Sequence, residues 1–233
     1  MNDIATTIEA LPSTLKHETQ PGFAMFPGFT APSIGDEMLA DVVGIARTKA
    51  AGTNVAPTIV MPENQPKPGD NPEDIVSKIF SLHRRPAFKR FTDDDRVQSI
   101  VQRAIGDDAD CFLSQFIFKN PGARGQPWHQ DSYYFPFSPH GPVVGLWLAV
   151  TEATLLNGCL QVLPGSQCEP IHNHIADRRE GANNGYVEIV DHDMSESQPR
   201  LMTSGDLLAF DSHLMHRSTD NHSTGLRAAM VWH

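Results

Sequence analysis

Apolar residues recur at helical spacing early in the chain and at strand spacing later. Ile34, Met38, Val42 and Ile45 fall on one face of a helix that starts near Ser33. Before it, Gly22-Phe23-Ala24-Met25-Phe26 reads as a short opening strand. The stretch 52–70 is rich in Pro and polar residues and is expected to be a long loop or lid. Asn71-Pro72 has the form of an N-cap followed by Pro at the first helical position. Ile75, Ile79 and Leu82 would then share one side of a helix that stops before Pro86. Thr92, followed by Asp93, Asp94 and Asp95, marks another helix start, because acids are favoured in a first turn. Val97, Ile100, Val101 and Ala104 would be its buried face.

From Cys111 the pattern changes. The runs 111–118, 143–150, 158–163, 186–190, 206–211 and 226–232 are short and β-prone, and Pro, Gly, Asn and Asp separate them. Many short strands behind a few helices predict a mainly β fold, a sandwich or barrel with helices on one face. Residues 1–233 read as one domain, with 1–110 a mostly helical support and lid and 111–233 the β-barrel core.

Composition narrows the functional classes. The 28 acidic residues outnumber the 18 basic ones, for a net charge of −10, which argues against nonspecific nucleic-acid binding. No apolar run approaches the roughly 20 residues that span a bilayer. The N-terminus lacks the basic start and apolar stretch of a secretory signal. Cys111, Cys159 and Cys168 form neither a disulfide framework nor a zinc motif, so a reducing cytoplasm is expected. Oligomeric state is not legible.

The candidate chemistry lies in His129-Gln130-Asp131. A His and an Asp two residues apart on a strand point to the same side. A lone pair of this kind is common, so its context decides. It follows the Gly-rich turn 121–125 and precedes the aromatic run Tyr133-Tyr134-Phe135-Pro136-Phe137. His213, His216 and His222 compete as a third ligand. His216 follows the strand 206–211 after one turn, and Ser218 faces the same way; His213 and His222 read as solvent or supporting residues. Two imidazoles and one carboxylate on one side of a metal are the ligand set of non-haem Fe(II) oxygenases. Arg227, eleven residues on, would offer a cationic fork to a carboxylate cosubstrate. The set points to iron, oxygen and a keto acid.

Three longer stretches carry a resemblance. The run from Trp128 to Phe137 looks like the metal strand of the phytanoyl-CoA dioxygenase family. Asn157-Gly158-Cys159-Leu160 through Leu163-Pro164-Gly165-Ser166 resembles that family's NGCL…LPGSH signature, with Gln167 where the family usually has His. Gly205-Asp206, His216-x-Ser218 and Arg227 are similar to its closing motif. The match runs in order from about Gly22 to the end of the chain.

The resemblance implies a double-stranded β-helix (jelly-roll, cupin-like) barrel. It implies Fe(II) at His129, Asp131 and His216, with 2-oxoglutarate and O2 as cosubstrates. It implies that Arg227 grips the distal carboxylate of 2-oxoglutarate, with Ser218 beside it. Trp147 matches a Trp of the cosubstrate pocket, and Lys78 an upstream Lys that contacts it. Gln115 falls where mammalian members have a Met lining the same pocket.

The implied reaction is hydroxylation of a small-molecule or acyl substrate, with release of succinate and CO2. Desaturation, ring closure or epimerisation remains an alternative outcome at the same site. The carboxylate of Asp131 disfavours halogenation. A noncatalytic cupin-like binding module is another alternative, as is a zinc hydrolase, which would need a nearby general base such as Glu. The loop 52–70 and the segment 168–185 would shape the mouth, and the aromatic run could give it an apolar wall. His83-Arg84-Arg85 with Lys89-Arg90 reads either as an anion-binding patch or as a solvated helix end. His233 reads as an incidental end residue.

Overall fold

The computed structural model describes residues 4–9, 11, 15, 21–63, 71–135, 137, 141–183 and 185–233. In chain order its elements begin with α1 (Ile4–Glu9), β1 (Phe23–Phe26), α2 (Pro32–Ala50), β2 (Ile59–Pro62), β3 (Val76–Phe80), α3 (Pro86–Thr92), α4 (Asp95–Ile105) and β4 (Ser114–Lys119). They continue with β5 (Val144–Ala149), β6 (Leu160–Val162), β7 (Ile175–Ala176), β8 (Val187–Glu188), β9 (Gln198–Arg200), β10 (Leu207–Asp211), β11 (His216–Ser218) and β12 (Arg227–Trp232).

The strands form a seven-stranded antiparallel sheet in the order β1-β10-β5-β12-β4-β3-β2 and a three-stranded sheet in the order β11-β6-β9. Side-chain parity divides the large sheet's residues between two cores. Phe26, Phe116, Phe118, Leu146, Leu148, Leu207, Ala228 and Met230 turn to one side, where Met38 and Val42 of α2, Phe88 of α3 and Ile100 of α4 cover them. Trp147, Ala149, Leu208, Phe210, Ala229 and Val231 turn to the other side and pack with Leu160 and Val162 of the small sheet. Leu, Ala, Met and aromatic side chains fill both faces, as a sheet covered on both sides requires. The result is the double-stranded β-helix barrel, with helices on its outer face. Phe91 stacks on Trp232 with ring centroids 4.3 Å apart, which ties α3 to the end of β12.

The helix α2 and the six late strand runs lie where the sequence places them, within a few residues. Three early expectations fail. Residues 71–82 are not a helix: Asn71 and Asp74 close a turn through both backbone and side chain, and β3 follows. Pairing on both edges, with β2 and with β4, overrides the local helix signal. Pro86 does not lie beyond a helix end but opens α3. Thr92 ends that helix, and Asp94 is the cap of α4, its side chain accepting from the Arg96 N–H at 2.9 Å. The expected loop 52–70 contains the edge strand β2, and residues 64–70 lie outside the described residues. Among the described residues no helix is long and apolar enough to cross a membrane.

Candidate functional site

His129 and His216 meet across an isolated antiparallel bridge, each N–H donating to the other's carbonyl at 3.0 Å. The bridge turns both rings into the barrel, with centroids 4.2 Å apart. Gln130 is extended (φ −114, ψ 130), so Asp131 returns to the side of His129 before a 3-10 turn starts at Asp131. The His129 Nε2 to Asp131 Oδ1 distance is 3.4 Å, and His216 Nε2 to Asp131 Oδ2 is 3.8 Å. Together the three form a group able to hold a metal ion. The far nitrogens are committed. His129 Nδ1 faces the Pro127 carbonyl at 2.7 Å and His216 Nδ1 the Leu214 carbonyl at 2.9 Å. A carbonyl only accepts, so each Nδ1 carries the proton and each Nε2 presents a lone pair inward.

Burial by itself would raise the Asp131 carboxyl, yet its pKa lies well below the carboxylate range, because the rings of His216, His233 and His129 oppose burial. Burial pushes His216 down to about 4, with His129 adding to the effect. An ionised carboxylate beside a neutral imidazole is therefore the state at neutral pH, and it is the state a metal needs.

His233 is not an incidental end residue. Its backbone continues the β12–β4 ladder by bonding Leu113 and Phe112. Its Nε2 lies 2.8 Å from Asp131 Oδ2, buried between Phe135 and Phe210. The contact fixes the carboxylate with Oδ1 toward His129 and Oδ2, the oxygen bonded to His233, toward His216. His233→Ala is expected to lower metal affinity by about 10–100-fold, the usual cost of losing an orienting partner. Competition against a calibrated chelator measures it, and unchanged affinity would show the contact to be idle.

Of the remaining candidates, Lys78, Gln115, Trp147 and Arg227 share one face of the large sheet, and Ser218 lies on β11 of the small one. Arg227 and Lys119 are register partners across β12 and β4, and Val231 is opposite both Gln115 and Trp147. Lys78, Gln115, Lys119, Trp147, Ser218 and Arg227 line the cavity that also holds His129, Asp131 and His216. Arg227 is 1% exposed, and its Nε and Nη1 have no hydrogen-bond partner. Its guanidinium carbon sits 5.6 Å from the centre of the Trp147 ring. Burial pulls its pKa down to about 10. Lys78 Nζ donates to Gln126 Oε1 at 3.3 Å and lies over the Tyr186 ring at 4.8 Å.

Lys119 escaped the sequence reading. Its Nζ donates to Ser218 Oγ at 2.7 Å and to the Thr219 carbonyl at 2.5 Å. Burial first, then the Arg227 guanidinium, holds its pKa well below that of an ordinary ammonium. Three basic side chains, Lys78, Lys119 and Arg227, thus share the cavity with one carboxylate, Asp131, in a chain of net charge −10. A parity signal was available: Lys119 follows Gln115 and Ile117 on the inward side, one residue past the expected strand end at Phe118.

Gly125 sets the rim of this cavity. A Cβ there would lie 2.0 Å from the Ser218 carbonyl oxygen. The close approach lets the Gln126 N–H donate to Ser218 Oγ at 3.2 Å. Gly125→Ala is expected to cost about 2–3 kcal/mol by overpacking and to lower Tm by about 5–10 °C. A calorimetric scan with no shift would contradict the contact.

Other sequence candidates fall outside the cavity. His213 bonds Ser132 Oγ at 3.1 Å, and His222 is exposed. Arg85, Lys89 and Arg90 pair with Asp41, Asp93 and Glu37 at the surface, so the basic cluster is a solvated, ion-paired one. Tyr134 packs edge-on to His129 at 5.9 Å, as an aromatic wall would. A larger cavity, about 670 Å³, lies behind Trp232 and His233 and contains none of the three candidate metal ligands. The convergence of donors, not size, marks the chemistry.

Residues 19–229 match the family model described as phytanoyl-CoA dioxygenase (PhyH). Peroxisomal phytanoyl-CoA dioxygenase from Bos taurus is 31% identical over 167 residues, covering 69% of this chain and 50% of that protein. Phytanoyl-CoA dioxygenase domain-containing protein 1 from Mus musculus is 31% identical over 170 residues, covering 70% of this chain and 58% of that protein. The chain thus spans about half the length of the curated relatives it matches. Among solved structures, the epimerase SnoN in complex with Fe3+, alpha ketoglutarate and nogalamycin RO has a TM-score of 0.69 at 16% identity, over 99% of this chain and 83% of that one. EctD from S. alaskensis with 2-oxoglutarate and 5-hydroxyectoine has a TM-score of 0.65 at 19% identity, over 91% and 71%. By the extent of the family match and the relatives' identity, the chain belongs to the phytanoyl-CoA dioxygenase family.

Proposed function

We propose that the chain is an Fe(II)- and 2-oxoglutarate-dependent dioxygenase that hydroxylates a small organic or acyl substrate and releases succinate and CO2. The observation that carries this reading is the buried Arg227 guanidinium, whose Nε and Nη1 lack partners, in the same cavity as the His129–Asp131–His216 donors. A buried cation without a counter-charge is costly, and an anionic ligand removes the cost. The donor set also fits the metal: two lone-pair Nε2 atoms and one ionised carboxylate leave the opposite positions open.

Iron, with 2-oxoglutarate and dioxygen, supplies the oxidising chemistry. The chain's own residues bind and orient. His129, Asp131 and His216 hold the metal, their outer atoms fixed by Pro127, His233 and Leu214. Arg227 takes the far carboxylate of 2-oxoglutarate by paired charged hydrogen bonds. Ser218 stands beside it, its oxygen held by Lys119. Trp147 forms an apolar wall under the guanidinium, Lys78 reaches the cavity from β3, and Gln115 lines it between them. No glutamate lines the cavity among the described residues, so the general base of a zinc hydrolase is missing. The substrate enters past Tyr133 and Tyr134, which stay about two-fifths exposed. Three unpaired cysteines suit a reducing compartment such as the cytoplasm.

Fe(II) and 2-oxoglutarate added without oxygen should give a visible charge-transfer band, and air should then yield succinate. Absence of both would overturn the reading. Succinate measured across acyl thioesters, amino acids and small natural products identifies the substrate class.

A further inference from the structure

We propose that Glu169, His172 and His192 form a second divalent-metal site, matched to Zn2+, which pins the loop beside the main site. The three share no residue with the His129 set, and their ligand atoms also converge. Glu169 Oε2 is 2.8 Å from His172 Nε2 and 3.0 Å from His192 Nε2. The two rings meet edge to face, at 89° with centroids 5.1 Å apart, so they approach the carboxylate from different directions. That spread is what a tetrahedral ion requires of its ligands.

The tautomer of His192 is the second observation. Its Nδ1 lies 2.9 Å from the Asp193 carbonyl, which only accepts, so Nδ1 carries a proton. Without a cation, Nε2 then either holds a second proton or aims its lone pair at a carboxylate oxygen. A metal ion between them satisfies both atoms, and the Nδ1–H to carbonyl contact is the usual support of a metal-bound imidazole. Zn–N and Zn–O distances of about 2.0–2.2 Å imply ligand–ligand edges of about 3.3 Å. The observed contacts need to open only by a few tenths of an ångström. Two nitrogens favour zinc over calcium or magnesium. All three side chains are partly open, with Glu169 37% exposed and each His 21%, which gives water the fourth position.

The ion would have a mechanical role. The His172 N–H donates to Gln130 Oε1 at 2.8 Å, Gln130 Nε2 donates to the Pro170 carbonyl at 3.1 Å, and the Gln130 N–H donates to His174 Nε2 at 3.1 Å. Gln130 lies between the main ligands His129 and Asp131. A zinc clamp joining residues 169–172 to His192 therefore holds the segment against which Gln130 is set.

Zinc content after dialysis against Zn2+, read by elemental analysis, tests the proposal. His129→Ala/His216→Ala, which lacks the main ligands, should retain one zinc. Adding His192→Ala should reduce affinity by at least about a hundredfold and bring the content to none. Should the double variant fail to fold, Glu169→Gln in the otherwise intact chain serves instead. It keeps the shape of the side chain, and total zinc should fall from two to one with the zinc-free Tm held. Equal zinc content with and without His192, or with and without the Glu169 charge, would overturn the site and leave an imidazole–carboxylate contact only.

Discussion

Iron retained after desalting should fall at least a hundredfold in the His216→Ala variant, and succinate production should vanish with it. The magnitude follows from the ligand count. Three protein donors hold the ion, and losing even an orienting neighbour of one donor costs about 10–100-fold. The fold should survive, because the bridge between His129 and His216 is made by their backbones. The same change at His213, three residues earlier in the chain, gives the contrast. That ring bonds Ser132 and lies outside the cavity, so iron should stay bound. Iron content and single-turnover succinate, measured on both variants, decide the matter. Full iron in the His216 variant would remove it from the ligand set.

Arg227→Ala should separate the cosubstrate from the metal. The loss of a buried bidentate charge contact costs about 2–5 kcal/mol, so 2-oxoglutarate binding should weaken by roughly 30-fold or more. Iron affinity should stay within a few-fold, since Arg227 touches no donor. The thermal signature is also specific. 2-Oxoglutarate should raise the Tm of the native protein by mass action and leave that of the variant unmoved. The unliganded variant should melt no lower than the native chain, because a desolvated cation with unpaired nitrogens has been removed. Equal loss of iron and cosubstrate would mean that Arg227 supports the barrel and not the ligand.

How far the chain could be read from its residues depends on what each role rests on. His129 with Asp131, and His216 with Ser218, were legible because alternation along a strand is a local rule; Arg227 was reached through its spacing from His216 and the family resemblance. Trp147 was reached through the family resemblance, and its parity agrees. Lys119 shares that parity but lies one residue past the expected strand end, and its importance arises from the register that sets it opposite Arg227. His233 depended on the ladder running on past Trp232 to carry the ring under Asp131. Residues 76–80 misled for a related reason: turn and helix signals are local, whereas strand pairing on both edges of β3 is not. The pair of 169–172 and 192 is the most distant case, for loops with no periodicity carry those side chains.

The strand β12 lies between β4 and β5, with Arg227 at its start and His233 one residue past its end. Both turn inward because an even number of steps separates them. One extra residue inserted between them would break that agreement, since a single-residue slip sends side chains to the opposite face. Whichever end kept its place, the other would be swung into the apolar layer under the helices. The length of this central stave is therefore locked to the spacing between anchor and brace.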